Sequence, residues 1–281
     1  MIENYILKKD FVRTALGNIH YFYNDSFAEK ATVVFLHGLS ANHTTWLETA
    51  EILHHNGFNF LALDLRGHGM SDKSSVKEFY QIKTFAEDLG LVLAKENISK
   101  FFLVGYSFGG VVALDYVLNQ KNLPRGMVLI SANHNNPLKY TRLTFLSPVL
   151  YVLANIFAFL FLWQKRKKYD YYSPGSARGY WSSVWLGLKT MPISINLWML
   201  SQMHLLNFKD RISAIGIPTM VLCSRKDPFV STIEIKEIAA ALPGAEIVFS
   251  NNQSHFIATQ AHDEMTEKIL HFLKKYENCD I

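Results

Sequence analysis

Three residues of this chain have the types and the chain order that nucleophilic catalysis needs: Ser107, Asp227 and His255. Ser107 lies in Gly105-Tyr106-Ser107-Phe108-Gly109-Gly110, between an apolar run at Phe101–Val104 and a helix-period segment over 108–120. Glycine two places before and two after a serine lets a strand and a helix pass closely at a sharp turn. The serine between them is then held out in a strained backbone conformation. A hydroxyl is a poor nucleophile until a base takes its proton. His255 follows the last strand-like run, Glu246–Phe249, and is the candidate base. Asp227 follows the run before it, Thr219–Leu222, and is the candidate acid that would fix the imidazole tautomer and stabilise the imidazolium. The competing readings are plainer: a glycine-rich turn at 105–110, a turn aspartate before Pro228, and a histidine at a helix start.

These residues need elements to bring them together. Continuous apolar runs rich in β-branched and aromatic residues occur at Ala31–Leu36, Phe58–Leu63, Phe101–Val104, Met127–Ile130, Thr219–Leu222 and Glu246–Phe249. Runs of this kind predict strands buried on both faces, as in parallel sheets. Helical periodicity falls between them, over 44–56, 82–96, 108–120, 231–242 and 258–275. Ser231 and Glu234 form a capping-box pattern at the start of the fourth. A hairpin turning at Gly17-Asn18 is expected ahead of the first run, joining 11–16 to 19–23. Strand alternating with helix gives an α/β fold, a mostly parallel central sheet with helices on both faces. In such sheets ligands bind at the carboxyl ends of the strands, and every candidate residue above sits at one.

The composition excludes several classes. Hydrophobic residues make up 49% and charged residues 19% of 281 residues, so the chain is neither disordered nor fibrous. A net charge of +4 without a Lys/Arg-rich arm argues against a nucleic-acid partner. Cys223 and Cys279 do not make a disulfide framework, and no His/Cys/Asp/Glu group has metal-site spacing, so no metal or cofactor is expected. The first ten residues carry an early acid and no apolar stretch, which predicts no secretory signal and a cytoplasmic location.

Taken together, these motifs resemble the α/β-hydrolase superfamily, in its branch of lidded serine esterases and monoacylglycerol-type lipases. The resemblance covers about residues 11–133 and 206–275. It implies Ser107 as nucleophile, Asp227 as acid and His255 as base. The His37-Gly38 segment resembles the family's oxyanion loop, which implies that the backbone N–H groups of Leu39 and Phe108 face the tetrahedral oxyanion. Asp64–Ser71 resembles the loop that braces such a site, so His68 is read as structural. Two positions depart from the family pattern. Ser254 stands where glycine usually precedes the histidine, and Asn133 occupies the place after the sixth strand where some lipases carry the acid. A serine nucleophile, where epoxide hydrolases and dehalogenases place aspartate, implies acyl transfer to water.

The strand–helix alternation breaks between Ile130 and Thr219. Residues 134–205 hold 14 of the 38 aromatics and 4 of the 5 tryptophans, and are expected to form a helical lid inserted in a core made of 1–133 and 206–281. Trp185, Met191, Trp198 and Met199 are its candidate substrate-binding residues. Leu143–Trp163 contains no charged residue and is followed by Gln164 and four cations, Lys165 to Lys168. A helix starting at a Ser147-Pro148 cap is too short to cross a bilayer, and a crossing would separate Ser107 from Asp227 and His255. Three readings of 143–168 remain: a lid dipping into an anionic membrane, a contact in a homodimer, or a buried lid. The leading function is hydrolysis of a lipid-like carboxylic ester, such as a monoacylglycerol. The alternatives are a small soluble ester or a carbon–carbon bond in a dienone acid, for which Arg178 is the candidate cation, and a non-catalytic lipid-binding protein on the same fold.

Overall fold

The computed structural model describes residues 7–140, 143–162, 189, 191–242 and 244–277. Among the described residues, eight strands form one sheet: β1 Lys8–Thr14, β2 Gly17–Asn24, β3 Thr32–Leu36, β4 Asn59–Leu63, β5 Phe101–Tyr106, β6 Gly126–Ile130, β7 Thr219–Cys223 and β8 Glu246–Phe249. Their order across the sheet is β1-β2-β4-β3-β5-β6-β7-β8. The β1–β2 and β2–β4 pairs are antiparallel, and all pairs from β4 to β8 are parallel. The helices are α1 Leu47–His55, α2 Ile82–Lys95, α3 Phe108–Asn119, α4 Ser147–Leu160, α5 Ile193–Met203, α6 Thr232–Ala241, α7 Ile257–Gln260 and α8 His262–Tyr276.

The pleat sorts the strand side chains into two cores. Val34, Leu36, Leu61, Leu63 and Leu103 face α2 and α3. Val33, Phe35, Phe60, Ala62, Phe102 and Val104 face α1 and α8. Every residue of β4, β5, β6 and β7 is buried, which is why these segments read as unbroken apolar runs rather than alternating ones.

Three local expectations need correction. The first hairpin turns at Ala15-Leu16, because Thr14 and Gly17 are already paired. The Thr14 hydroxyl closes that turn by accepting from Leu16 N–H at 3.1 Å and donating to Gly17 O at 2.8 Å. Gly17 is required for another reason: its φ is +129°, and a Cβ there would come within 2.9 Å of Asp72 Cβ. Ser147 is no cap. It is helical, and its hydroxyl accepts from Asn136 Nδ2 at 2.7 Å. The segment over 258–275 is two helices, α7 and α8, broken at Ala261. Glu264, in the first turn of α8, accepts from Asn251 N–H and Ser250 Oγ, which ties that turn to the loop after β8.

Between β6 and β7 the chain leaves the sheet and returns as a paired stalk. Asn135 bridges Asn207, Phe208 N–H donates to His134 O, and Asn136 N–H donates to Leu206 O. The described helices α4 and α5 lie in this excursion and pack on each other. α4 is 14 residues long, about 21 Å. Among the described residues no helix is long and apolar enough to cross a membrane.

Candidate active site

Ser107 is the residue between β5 and α3, at φ +51° and ψ −114°, a conformation that non-glycine residues rarely adopt. The glycines around it explain how this corner closes. A Cβ on Gly105 would lie 2.6 Å from Gly109 O, one on Gly109 would lie 2.3 Å from Leu36 O, and one on Gly110 would lie 2.4 Å from Ala132 Cβ. The corner is therefore packed backbone against backbone on both sides.

The loops after β7 and β8 bring the other two residues to it. His255 Nε2 lies 3.0 Å from Ser107 Oγ, and His255 Nδ1 lies 2.8 Å from Asp227 Oδ2. The second oxygen of Asp227 accepts from Phe229 N–H at 2.8 Å and Val230 N–H at 3.0 Å. With one oxygen engaged by two backbone donors, the carboxylate can only turn its other oxygen to the imidazole. That arrangement fixes the proton on Nδ1 and leaves the Nε2 lone pair for the serine hydroxyl. Tyr106 O–H donates to His255 O at 3.2 Å, and the Phe229 ring stands edge-on to the His255 ring with centroids 4.9 Å apart. Ser254 caps the turn: its hydroxyl accepts from Phe256 N–H at 3.2 Å.

The loop after β3 runs past the serine. A Cβ on Gly38 would lie 3.4 Å from Ser107 Cβ and 3.0 Å from the Tyr106 ring, so this backbone is in contact with the turn at Ser107. Leu39 follows it, and Phe108 is the first residue of α3, where backbone N–H groups have no partner within the helix. Two buried histidines brace the loop. His37 Nε2 accepts from Leu65 N–H at 3.0 Å while its Nδ1 donates to Gly38 O at 2.8 Å. His68 Nε2 accepts from Ser40 N–H at 3.1 Å while its Nδ1 donates to Arg66 O at 3.0 Å. Burial drives the His37 pKa down to about 4 and that of His68 well below the usual value, with the His37 ring further disfavouring charge on His68. Both are neutral struts.

Asp64 ties the same two loops together. Its Oδ1 accepts from His43 N–H at 2.8 Å and faces His43 Nδ1 at 2.9 Å, and its Oδ2 accepts from Met70 N–H at 2.8 Å. Burial pushes its pKa up, but the His43 hydrogen bond, the nearby histidines and the Met70 amide outweigh burial and hold it at about 2. Gly69, at φ +45°, lets the chain wrap the carboxylate: a Cβ there would sit 2.2 Å from it.

Of the candidate substrate residues, Met191 reaches the loop after β3, with its sulfur 3.8 Å from Ser40 Oγ, and Ser40 Oγ also donates to Asn196 Oδ1. Trp198 stacks on Tyr80 at 5.7 Å, and Met199 packs against the backbone at Gly67. Those two lie in the buried seam between α5 and the 64–71 loop. Trp185 and Arg178 lie outside the described residues. A separate groove lined by Lys77, Gln81, Asp115, Tyr151 and Gln202 opens beside α4 and contains none of the site residues.

The α/β-hydrolase fold family matches residues 31–259, and the chain belongs to it. It is 33% identical over 123 residues to an sn-1-specific diacylglycerol lipase, ABHD11, from Danio rerio, a stretch covering 43% of this chain and 38% of that protein. It is 24% identical over 253 residues to a putative carbamate hydrolase, RutD, from Rhizobium rhizogenes, covering 86% and 92% of the two chains. The first curated relatives are thus matched over little more than a third of their length. Among solved structures, an esterase from Exiguobacterium antarcticum superposes with a TM-score of 0.74 at 18% identity, covering 94% of this chain and 98% of that one.

The structure also holds parts of the site that sequence reasoning passed over. Asn133 was notable only as a residue that is not an acid and Glu234 only as half of a capping box, yet the two side chains are hydrogen-bonded at 2.9 Å behind the Asp227 turn. Two polar residues at the ends of different elements give no joint signal in one sequence.

Proposed function

We propose that the protein is a serine hydrolase that cleaves a lipid-like carboxylic ester, such as a monoacylglycerol, through an acyl-enzyme on Ser107. The observation that carries this reading is the strained serine in line with His255 and Asp227, at 3.0 and 2.8 Å. His255 Nε2 takes the Ser107 proton as Oγ attacks the acyl carbon. The N–H groups of Leu39 and Phe108 receive the negative charge that develops on the carbonyl oxygen. His255 then gives its proton to the leaving alcohol. In the second half it takes a proton from water, the hydroxide attacks the acyl carbon, and Ser107 recovers its proton as the acid leaves. Asp227 keeps its charge throughout and stabilises the imidazolium.

The lipid preference is supported by the excursion over 134–205, which we read as the lid. Phe145, Val149, Val152, Ile156, Phe157, Phe159 and Leu160 of its first part are exposed apolar residues. An exposed apolar face of this extent calls for a partner, and lipid fits it, with the cations Lys165 to Lys168, outside the described residues, supplying attraction to anionic headgroups. The protein then works peripherally at a membrane. A fluorophosphonate probe and a panel of p-nitrophenyl and monoacylglycerol esters test the reading. Wild type labels and prefers long chains, whereas Ser107→Ala neither labels nor turns over. Activity confined to short soluble esters, or to a dienone acid, would favour the small-substrate reading, and an unlabelled wild type would favour lipid binding without catalysis.

A further inference from the structure

The carboxylate of Glu234 is fully buried at the start of α6, and its partners do not belong to its own helix end. Ser231, the N-cap, accepts from Glu234 N–H at 3.1 Å, so one arm of a capping box is formed. The Glu234 side chain turns away from the other arm. Its Oε1 accepts from His134 N–H at 2.9 Å and Asn135 N–H at 3.3 Å, and faces His134 Nδ1 at 3.1 Å. Its Oε2 accepts from Asn133 Nδ2 at 2.9 Å. The donors converge on both oxygens from the loop after β6, where the chain departs into the 134–205 excursion.

That loop is linked onward to the acid. Asn133 Nδ2 also donates to Phe229 O at 3.0 Å. Phe229 N–H is one of the two donors on Asp227 Oδ1, and the Phe229 ring is the one standing against His255. One residue thus fixes the acid through its amide, touches the base through its ring, and is held through its carbonyl. The hold on that carbonyl ends at Glu234.

We infer that Glu234 is a positioning residue for the Asp227–His255 pair, its buried carboxylate clamping the loop at 133–135 so that Asn133 holds the Phe229 peptide in place. The inference rests on the triad reading above. A carboxylate is needed because its partners are donors: a carboxamide would turn one NH2 toward N–H groups and leave at least one donor unmet in a dry site. Released from this hold, the Phe229 peptide can rotate, and Asp227 loses a backbone donor and its alignment with His255. Misplacement on the order of 1 Å costs about 100-fold in rate.

The experiment compares Glu234→Gln, Glu234→Asp, Asn133→Ala and the Glu234→Gln/Asn133→Ala pair, with Glu237→Gln as control. Glu237 faces the outer nitrogen of His134 at 3.7 Å and pairs with Lys209 at 3.5 Å. Active enzyme is counted by a fluorophosphonate titration, so poorly folded material drops out. In Glu234→Gln, kcat per titrated site should fall about 10- to 100-fold with KM within about twofold. Glu234→Asp should recover part of kcat, Glu237→Gln should match wild type, and the double variant should lose little more than Glu234→Gln alone. A Glu234→Gln enzyme with wild-type kcat per site would overturn the inference while leaving the triad reading intact. A wild type that fails to label at Ser107 would instead overturn the triad reading.

Discussion

Asp64 shows how much one buried side chain does for this site, since it joins the 64–71 loop to the loop carrying Gly38 and Leu39. Its folded pKa of about 2 lies below the 3.8 of an unperturbed aspartate. The charged form is therefore favoured in the folded state. That stability is fully present above pH 4 and drains away as pH falls toward 2, to a total of about 2 kcal/mol. Asp64→Asn should be less stable than wild type by roughly this amount at pH 7, with the gap in urea midpoint closing between pH 4 and pH 2. A gap that stays constant over this range would show that Asp64 contributes by shape alone. At the acid itself, Asp227→Asn keeps the size of the side chain but no longer imposes the Nδ1–H tautomer on His255. Its kcat should fall by about 10⁴. If Asp227→Asn is near wild type while Asp210→Asn or Asp263→Asn is inactive, the acid is elsewhere.

At the scale of elements, the corner between β3, β5 and α3 makes a test that needs no substrate. Gly109→Ala places a methyl group 2.3 Å from the Leu36 carbonyl oxygen, which is backbone in the centre of the sheet and cannot give. It should cost about 3 kcal/mol. Gly216→Ala meets nothing within 4 Å and should be neutral or slightly stabilising. Equal denaturation midpoints for the two would mean that the helix and strands are less closely packed than the glycines indicate. Strands β3 to β7 were legible in the sequence because burial on both faces removes polar residues from them, whereas β8, expected to be buried in the same way, is a half-buried edge strand that starts at Glu246. The fold class followed from their alternation with helices, and the order of Ser107, Asp227 and His255 followed from their places after β5, β7 and β8. What the sequence hid were the cases where a side chain had two local uses. Ser147 and Glu234 both carry capping signals, and in both the side chain goes to the loop after β6, a choice that depends on residues distant in sequence. The hairpin was misplaced by two residues for the same reason, since Gly17 answers to Asp72 rather than to the turn.

At the scale of the molecule, the surface is asymmetric. Among the described residues, the exposed large apolar side chains of the sheet and its flanking helices are scattered from Leu7 to Ile233, whereas Leu143 to Leu160 concentrates a dense set of them, with Phe145 at 72% and Phe159 at 70%. Only Ser147 and Ala158 of α4 are buried. A chain with net charge +4 and such a face should adsorb to anionic bilayers through α4, helped by the cations that follow it in sequence. Fully burying one phenylalanine is worth about 2 kcal/mol. Replacing Phe145 and Phe159 with Asp removes two such contributions and adds two charges that anionic lipid repels. Partition onto phosphatidylserine vesicles should drop by 10³-fold or more, about 4 kcal/mol at 1.4 kcal/mol per decade. Turnover of a short soluble ester should be unchanged, because both side chains point to solvent and Ser107, Asp227 and His255 follow β5, β7 and β8. Hydrolysis of dispersed long-chain monoacylglycerol should fall with the binding. Flotation in a density gradient decides between the partners of this face. Wild type that stays at the bottom and elutes as a dimer, with the double variant eluting as a monomer, would assign α4 to a second copy of the chain instead of lipid.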